Sequence, residues 1–185
     1  MTEYLIGAVA AALVNDLTIS RDDGDTLSKL TRAACMGVVT VAVTLCACVL
    51  SYALYYAVLA PLGLESARVP LCLLVASGCA ALLGRLARNS NGARAAFLET
   101  NWPLVALNAA VLGALVQGLS AGYDFAGNLL SALGASVLFA ASLACMTAIQ
   151  ARMDADALPA CVRGLPAYLL TAALISMALM AFAGL

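Results

Sequence analysis

Six long apolar segments, separated by short polar clusters, are the feature that most constrains this chain of 185 residues. A helix that crosses the hydrocarbon of a bilayer needs about 20 mostly apolar residues, because each residue rises about 1.5 Å across a thickness of about 30 Å. The six segments are Tyr4–Ser20, Ala34–Leu59, Val69–Leu86, Trp102–Leu119, Phe125–Ile149 and Leu165–Leu185. The loops between them are short, so the sequence predicts an all-α integral membrane protein with a single transmembrane domain of six helices.

The composition agrees with a membrane protein and excludes several kinds of site. Hydrophobic residues make up 64% of the chain and charged residues 10%, whereas a soluble domain has about 25% charged residues. The chain has no histidine, which excludes a histidine general base and histidine ligands to haem or zinc. Its net charge of -1 provides too little positive charge for a nucleic-acid partner.

The basic residues predict the orientation of the helices. Eight of the nine lie in the first, third and fifth loops or, for Arg85, at the adjoining end of the third segment, and the exception is Arg68 in the second loop. Because basic residues are enriched in cytoplasmic loops, we expect these three loops in the cytoplasm and both termini outside, in the periplasm of a bacterial inner membrane. Glu3 is the only early charge, so the first segment is expected to be a retained helix and not a secretory signal.

Two of the six segments carry an amide within an apolar run. Asn15 and Asp16 lie in the first segment and Asn108 in the fourth, and a long and then a shorter segment follow each. This order predicts two inverted repeats of three helices, residues 1–88 and 94–185, with short or broken first and fourth helices. Because polar side chains facing lipid are costly, the three residues are expected to line a midplane site or an ion path, or to form interhelical hydrogen bonds. For Asp16, we expect a snorkelling or loop-facing side chain that reaches water, and the alternative is a group that carries a proton or a sodium ion.

The seven cysteines do not have the spacing of a known metal site. Cys46 and Cys48 are two residues apart, so on a helix they point to different sides. No pair forms a C-x-x-C motif. Free cysteine behaves as a small apolar residue, and five of the seven lie well inside apolar segments. Cys35 and Cys161 lie near the cytoplasmic edge of their helices and are the pair best placed to react or to bind a metal.

Six stretches of the chain together suggest a family: Met1–Leu5, Leu13–Asn15, Asn108–Gly113, Ala148–Arg152, Pro159–Gly164 and Ile175–Leu185. They resemble the A subunit of the Rnf electron-transport complex, whose family also contains the E subunit of the sodium-pumping NADH:quinone reductase, Nqr. They follow one another in order over essentially the whole chain. The resemblance implies six helices in two inverted halves and a homologous sister subunit of opposite orientation. It also implies a complex that passes electrons between ferredoxin and NAD while it moves sodium ions or protons.

The same resemblance implies a [2Fe–2S] cluster at the midplane, to which each of the two sister subunits supplies two cysteines. In this chain the first ligand position falls near Thr26, in a region several residues shorter than in the family, and the second falls at Ala109. Neither is a cysteine, whereas such clusters are held by thiolates. We therefore expect that this chain has no catalytic residue and binds no cofactor or metal by itself.

Three functions are open on the sequence alone. The first is a structural membrane subunit of an Rnf-type or Nqr-like complex that couples ferredoxin/NAD redox chemistry to the movement of Na+ or H+. The second is a small-solute or ion transporter that uses the inverted repeat without redox chemistry. The third is a redox subunit in which displaced cysteines such as Cys35 or Cys161 rebuild a cluster, and their position at the membrane edge disfavours it.

Overall fold

The chain folds into helices joined by turns. A computed structural model describes residues 9–16, 26–88, 108–153, 159 and 164–183, and no strand occurs among them. The helices in these ranges are residues 9–16 (α1), Thr26–Leu54 (α2), Arg68–Arg88 (α3), Ala109–Ser120 (α4), Phe125–Arg152 (α5) and Leu165–Ala183 (α6). Each overlaps one of the six predicted segments, which confirms the all-α fold, although α2 begins at Thr26, eight residues before the predicted Ala34 and within a stretch expected to be a loop.

α2 continues beyond its regular part and ends at a proline and a glycine. A π-helical turn, Tyr55–Leu59, and one further short turn extend it in the same direction. The π turn comes just before Pro61, which has no N–H to donate and therefore disturbs the regular hydrogen-bond pattern of an α-helix. Gly63 then adopts the left-handed conformation, with φ 65°, and terminates the helix.

In the described ranges, three helices have the length and apolar character needed to cross a membrane. They cover Lys29–Leu62, Arg68–Leu86 and Phe125–Arg152, whereas α4 and the apolar part of α6 are shorter. α4 has 12 residues, or about 18 Å of helix, which is less than the hydrocarbon thickness of about 30 Å. The fourth segment is thus not one continuous helix from Trp102 onward, because α4 begins only after Asn108. This agrees with the predicted short or broken fourth helix.

Side chains are distributed as in a protein surrounded by lipid. Large aliphatic side chains point outward, with exposed fractions of 72% for Leu130, 71% for Leu74 and 70% for Val38. The buried polar side chains are Asn15, Asp16, Thr40, Thr44, Ser51, Asn108, Asn128, Ser136, Ser142, Thr147 and Thr171. In hydrocarbon, polar groups have to find their partners inside the protein, while apolar side chains can face the lipid.

α2 and α5 run antiparallel and pack closely. Gly37 of α2 lies against Ala140 of α5, since a Cβ on the glycine would be 3.0 Å from the alanine Cβ. Fifteen residues further along α2, the ring of Tyr52 contacts the ring of Phe125, with 5.3 Å between the centroids. Phe125 in turn lies fifteen residues before Ala140. The two helices therefore keep one antiparallel register over this length, and the small residues allow the close approach that stabilises helix pairs in lipid.

α4 and α5 form a second antiparallel pair. The turn between them contains Gly122, which has a φ of 64°. Asn128, in the first turns of α5, places its Oδ1 where a Cβ of Gly118 would be, so the glycine allows α4 to approach α5. Asn108 lies ten residues before Gly118, and Leu138 lies ten residues after Asn128. Because the two helices are antiparallel, Asn108 and Leu138 lie at about the same level. The start of α4 therefore lies at about the level of the middle of α5.

Replacing Gly118 by alanine should destabilise the protein, because the new Cβ overlaps the Asn128 amide inside a packed contact. Overpacking of this kind typically costs about 1–3 kcal/mol. Gly113→Ala is the matched control on the same helix, since nothing lies within 4 Å of its Cβ position and alanine favours helix. Thermal unfolding in detergent, followed by circular dichroism, should give a lower melting temperature for Gly118→Ala alone. Equal melting temperatures would contradict the contact.

Candidate functional site

Asp16 is buried where α1 meets α5. Its exposed fraction is 1%, and the hydroxyl of Thr147 on α5 lies 2.7 Å from its Oδ1. Its second carboxyl oxygen, Oδ2, has no hydrogen-bond partner among the described residues. The sequence favoured a snorkelling or loop-facing Asp16, whereas the structure places its side chain inside the protein.

The two amides each form a hydrogen bond with their own helix. Asn15 is 3% exposed, and its Nδ2 donates to the Ala11 carbonyl at 3.0 Å. Asn108 has an extended backbone, and its Oδ1 accepts a hydrogen bond from the Ala110 N–H at 3.0 Å. Asparagine is a favoured N-cap residue because its side chain satisfies a backbone N–H that has no partner within the helix. Asn108 thus defines the start of α4, and its Oδ1 serves this cap.

Asp16 and Asn108 lie at different depths along α5. The contact of Gly118 with Asn128 places Asn108 level with about residue 138, whereas Asp16 contacts Thr147. Nine residues separate these two levels, or about 13 Å of helix. The structure therefore brings Asn15 and Asp16 to the C-terminal part of α5 and Asn108 to its middle.

Lys29 of α2 supplies a positive charge near Asp16. It lies eight residues before Gly37, while Thr147 lies seven residues after Ala140, so the antiparallel register brings Lys29 and Thr147 to one level. A favourable charge interaction connects Lys29 with the Asp16 carboxylate. Asp16 consequently has a hydroxyl on α5 and a cation on α2 as its neighbours.

Thr147 differs from the other buried hydroxyls of α2 and α5. Thr40 and Thr44 donate to the carbonyl oxygens one turn earlier, at 2.8 and 2.7 Å, as hydroxyls in membrane helices commonly do. Thr147 has such a neighbour too, the Leu143 carbonyl at 2.9 Å, but it also has Asp16. One turn further on, Gln150 donates to the Thr171 hydroxyl of α6 at 3.1 Å. The C-terminal part of α5 is therefore tied by polar contacts to both α1 and α6.

Sequence reasoning missed Thr147 and Asn128. Both are polar residues within the predicted fifth segment, and both are buried, at 4% and 1% exposed. The signal was present in their spacing, because Ser136, Phe139 and Leu143 precede Thr147 at helical intervals on one face. Hydropathy identifies such a segment as a span but does not identify the helix that the face contacts.

The two positions implied as cluster ligands both begin helices. Thr26 is the first residue of α2 and Ala109 the first residue of α4. Ala109 is exposed on the surface of the chain, directly after the buried Asn108. An iron–sulfur cluster requires thiolate ligands, so the residues at these positions do not fit a [2Fe–2S] cluster.

The cysteines are dispersed over the described helices. Cys48, Cys72 and Cys79 are buried, Cys46 and Cys145 are exposed, and all of these are free thiols. Cys35 is half-buried, and Cys161 lies outside the described residues. No group of three or more His, Cys, Asp or Glu residues gathers as a metal site within the ranges that the structure describes.

A helical bundle with an apolar exterior and buried polar side chains within an apolar core defines the class of protein, a multi-pass integral membrane protein. A family described as "Rnf-Nqr subunit, membrane protein" matches residues 26–185. The chain belongs to this Rnf-Nqr family of membrane subunits.

Relatives match over nearly their whole length. The A subunit of the ion-translocating oxidoreductase complex of Syntrophotalea carbinolica is 30% identical over 190 aligned residues, which cover 100% of this chain and 98% of the relative. The protein of the same name from Vibrio cholerae El Tor is 29% identical, with 100% and 98% covered. The A subunit of the Na(+)-translocating ferredoxin:NAD(+) oxidoreductase complex of Acetobacterium woodii is 27% identical, with 96% and 95% covered. These matches confirm the resemblance recognised in the sequence.

Thr147→Val should destabilise the protein more than Thr40→Val does. Both changes remove a buried hydroxyl, but only the first leaves the Asp16 carboxyl without its described hydrogen bond. Leaving a buried polar group without a partner costs about 1–3 kcal/mol. The coupling between the two side chains follows from a double-mutant cycle, in which thermal unfolding is compared for the wild type, Asp16→Ala, Thr147→Val and Asp16→Ala/Thr147→Val. Equal losses for Thr147→Val and Thr40→Val would contradict the contact.

Proposed function

We propose that this chain is an A-type membrane subunit of an Rnf-type ion-translocating electron-transport complex and that its role there is structural. The observation that carries the proposal is full-length similarity to A subunits combined with the absence of a thiolate at Thr26 and Ala109. The complex would couple electron transfer between ferredoxin and NAD to the movement of Na+ or H+, and the electrons would pass through other subunits.

The local backbone supports a scaffold that persists without its ligands. Asn108 still caps α4, and the helix still begins at Ala109. α4 still packs on α5 through the contact of Gly118 with Asn128. A helix start at this depth needs a backbone cap and close packing, and neither depends on a metal cluster. Loss of the thiolates therefore removes the cofactor site of this chain without removing the fold around it.

A homologous sister subunit of inverted orientation is the partner we propose for the surface around Ala109. This residue is exposed although it lies at about the middle depth of α5, where the surroundings of a lone chain are hydrocarbon. The first turn of α4 also carries backbone N–H groups without intrahelical partners. Such a helix end is tolerated in a membrane only where protein or water covers it. A second subunit would provide this cover.

The bacterial inner membrane is the location we propose, with both termini in the periplasm. The distribution of the basic residues supports it, because eight of the nine lie in or beside the loops that would then face the cytoplasm. Of the described ones, Lys29 and Arg32 lie near the start of α2, and Arg152 ends α5. Because α2 and α5 are antiparallel, these residues lie at one end of the bundle.

The names of the relatives favour this function over a solute transporter. Each of these relatives is named as the A subunit of an oxidoreductase complex. A transporter that acts alone would share the inverted fold but would have no redox partners. The two functions therefore differ in what accompanies the chain in its own membrane.

Purification of the tagged chain from its own cells in mild detergent should recover other membrane subunits together with flavin-bearing and ferredoxin-like subunits, identified by mass spectrometry. A photo-crosslinking amino acid at position 109 should capture a homologous membrane subunit, whereas the same probe at Leu74, which is 71% exposed on α3, serves as the positional control. A solitary oligomer without redox subunits would contradict the proposed function and support the transporter.

A further inference from the structure

The Asp16 carboxyl is the buried ionisable group that the proposed scaffold role leaves unexplained. It is 1% exposed, yet only one of its oxygens has a hydrogen bond among the described residues. A carboxylate can accept about four hydrogen bonds, and burying an ion with few partners costs several kcal/mol. Burial of this degree disfavours a carboxylate that stays ionised at all times.

The hydroxyl of Thr147 can serve Asp16 in both protonation states. It has a single hydrogen and two neighbouring acceptors, Asp16 Oδ1 at 2.7 Å and the Leu143 carbonyl at 2.9 Å. When the carboxyl is ionised, the hydroxyl donates to Asp16. When the carboxyl is protonated, Asp16 donates to the Thr147 oxygen and the hydroxyl hydrogen rotates to Leu143. Neither state leaves this pair without a hydrogen bond, and the change requires only rotation of one hydroxyl.

The charges around Asp16 favour a proton over a metal cation. Lys29 lies on α2 at the level of Thr147 and interacts favourably with the Asp16 carboxylate, so its positive charge disfavours a second cation bound there. A proton avoids this repulsion, because it neutralises the carboxylate covalently. The other charged or titratable groups at this end of the described helices are Arg32 and Cys35 on α2, Arg85 on α3, Arg152 on α5 and Tyr168 on α6.

We propose that Asp16 is a reversible proton-binding site of the membrane domain and that Thr147 is its hydrogen-bond partner in both states. The proton binds a carboxyl oxygen of Asp16 from water at the Lys29 end of the bundle and returns there. The site is formed by residues of this chain, so the proposal goes beyond the scaffold role. The proton-binding site can be disproved while the scaffold role still holds.

The test is carboxyl modification of the full-length protein in detergent micelles. Dicyclohexylcarbodiimide is an apolar reagent that modifies protonated carboxyl groups in apolar surroundings, and mass spectrometry of peptides locates the product. Asp16 should be modified, and the modified fraction should fall as the pH rises. Asp124, which is exposed beside α5, serves as the internal control and should be modified far less. Sodium ions should not protect Asp16.

Variants separate the roles of the two neighbours. Lys29→Gln removes the cation and Thr147→Val removes the donor to the ionised form, so each should shift the pH of half-modification of Asp16 upward. Thr147→Ser keeps the hydroxyl, so the pH of half-modification of Asp16 should equal that of the wild type. Thr40→Val should also leave this pH unchanged. Infrared titration provides a second readout: the contribution of Asp16 to the carboxylic-acid band, obtained as the difference between the wild type and Asp16→Asn, should vary with pH.

Two results would overturn the proposal. One is protection of Asp16 by sodium ions, which would assign the site to a metal cation. The other is an infrared titration without any Asp16 carboxylic-acid band at any pH, together with no modification, which would make Asp16 and Lys29 a permanent ion pair. Either result would leave the proposed scaffold function unaffected.

Discussion

The antiparallel contact between α2 and α5 determines the register of the helices on which the position of Asp16 and its neighbours depends. Gly37 and Ala140 allow the two backbones to approach, and the rings of Tyr52 and Phe125 close the contact at its other end. In lipid, helices gain little from burying apolar surface, so close packing of small residues has to hold them together. The register that results brings Lys29 and Thr147 to one level, and α1 is bound there through Asp16.

The bilayer explains why the polar groups of the core matter more than its apolar ones. Most buried hydroxyls of α2 and α5 donate to carbonyls of their own helix and so need no partner from elsewhere. Such side chains are compatible with many arrangements of the helices. Asp16 is different, because its hydrogen bond comes from α5 and it interacts with the charge of Lys29 on α2. A single carboxyl therefore connects three helices, and we expect a change at Thr147 to affect more than one of them.

The sequence was sufficient for the spans but not for their ends or their partners. Cutting at polar residues gave Phe125–Ile149 for α5, which in fact continues to Arg152, because a basic residue in the last turn is compatible with helix and favoured by its dipole. Hydropathy could not locate the start of α4, since the stretch before Asn108 is equally apolar. The asparagine itself was the available signal, as a favoured N-cap. Nothing in the spacing could indicate that Thr147 would meet Asp16, because residues 131 positions apart meet only through the packing of the helices.

The family relationship and the side chains at Thr26 and Ala109 together underlie the central proposal, that the chain has the membrane architecture of its family without the cluster ligands that the resemblance implies. The most direct measurement is the iron and acid-labile sulfide content of the purified pair formed by this chain and the proposed homologous sister subunit, together with the electron paramagnetic resonance spectrum after reduction. We expect only traces of iron and sulfide and no signal, because Thr26 and Ala109 provide no thiolate. Stoichiometric iron and sulfide per pair, with a reduced-state [2Fe–2S] signal that is lost when cysteines of this chain are replaced, would contradict the claim.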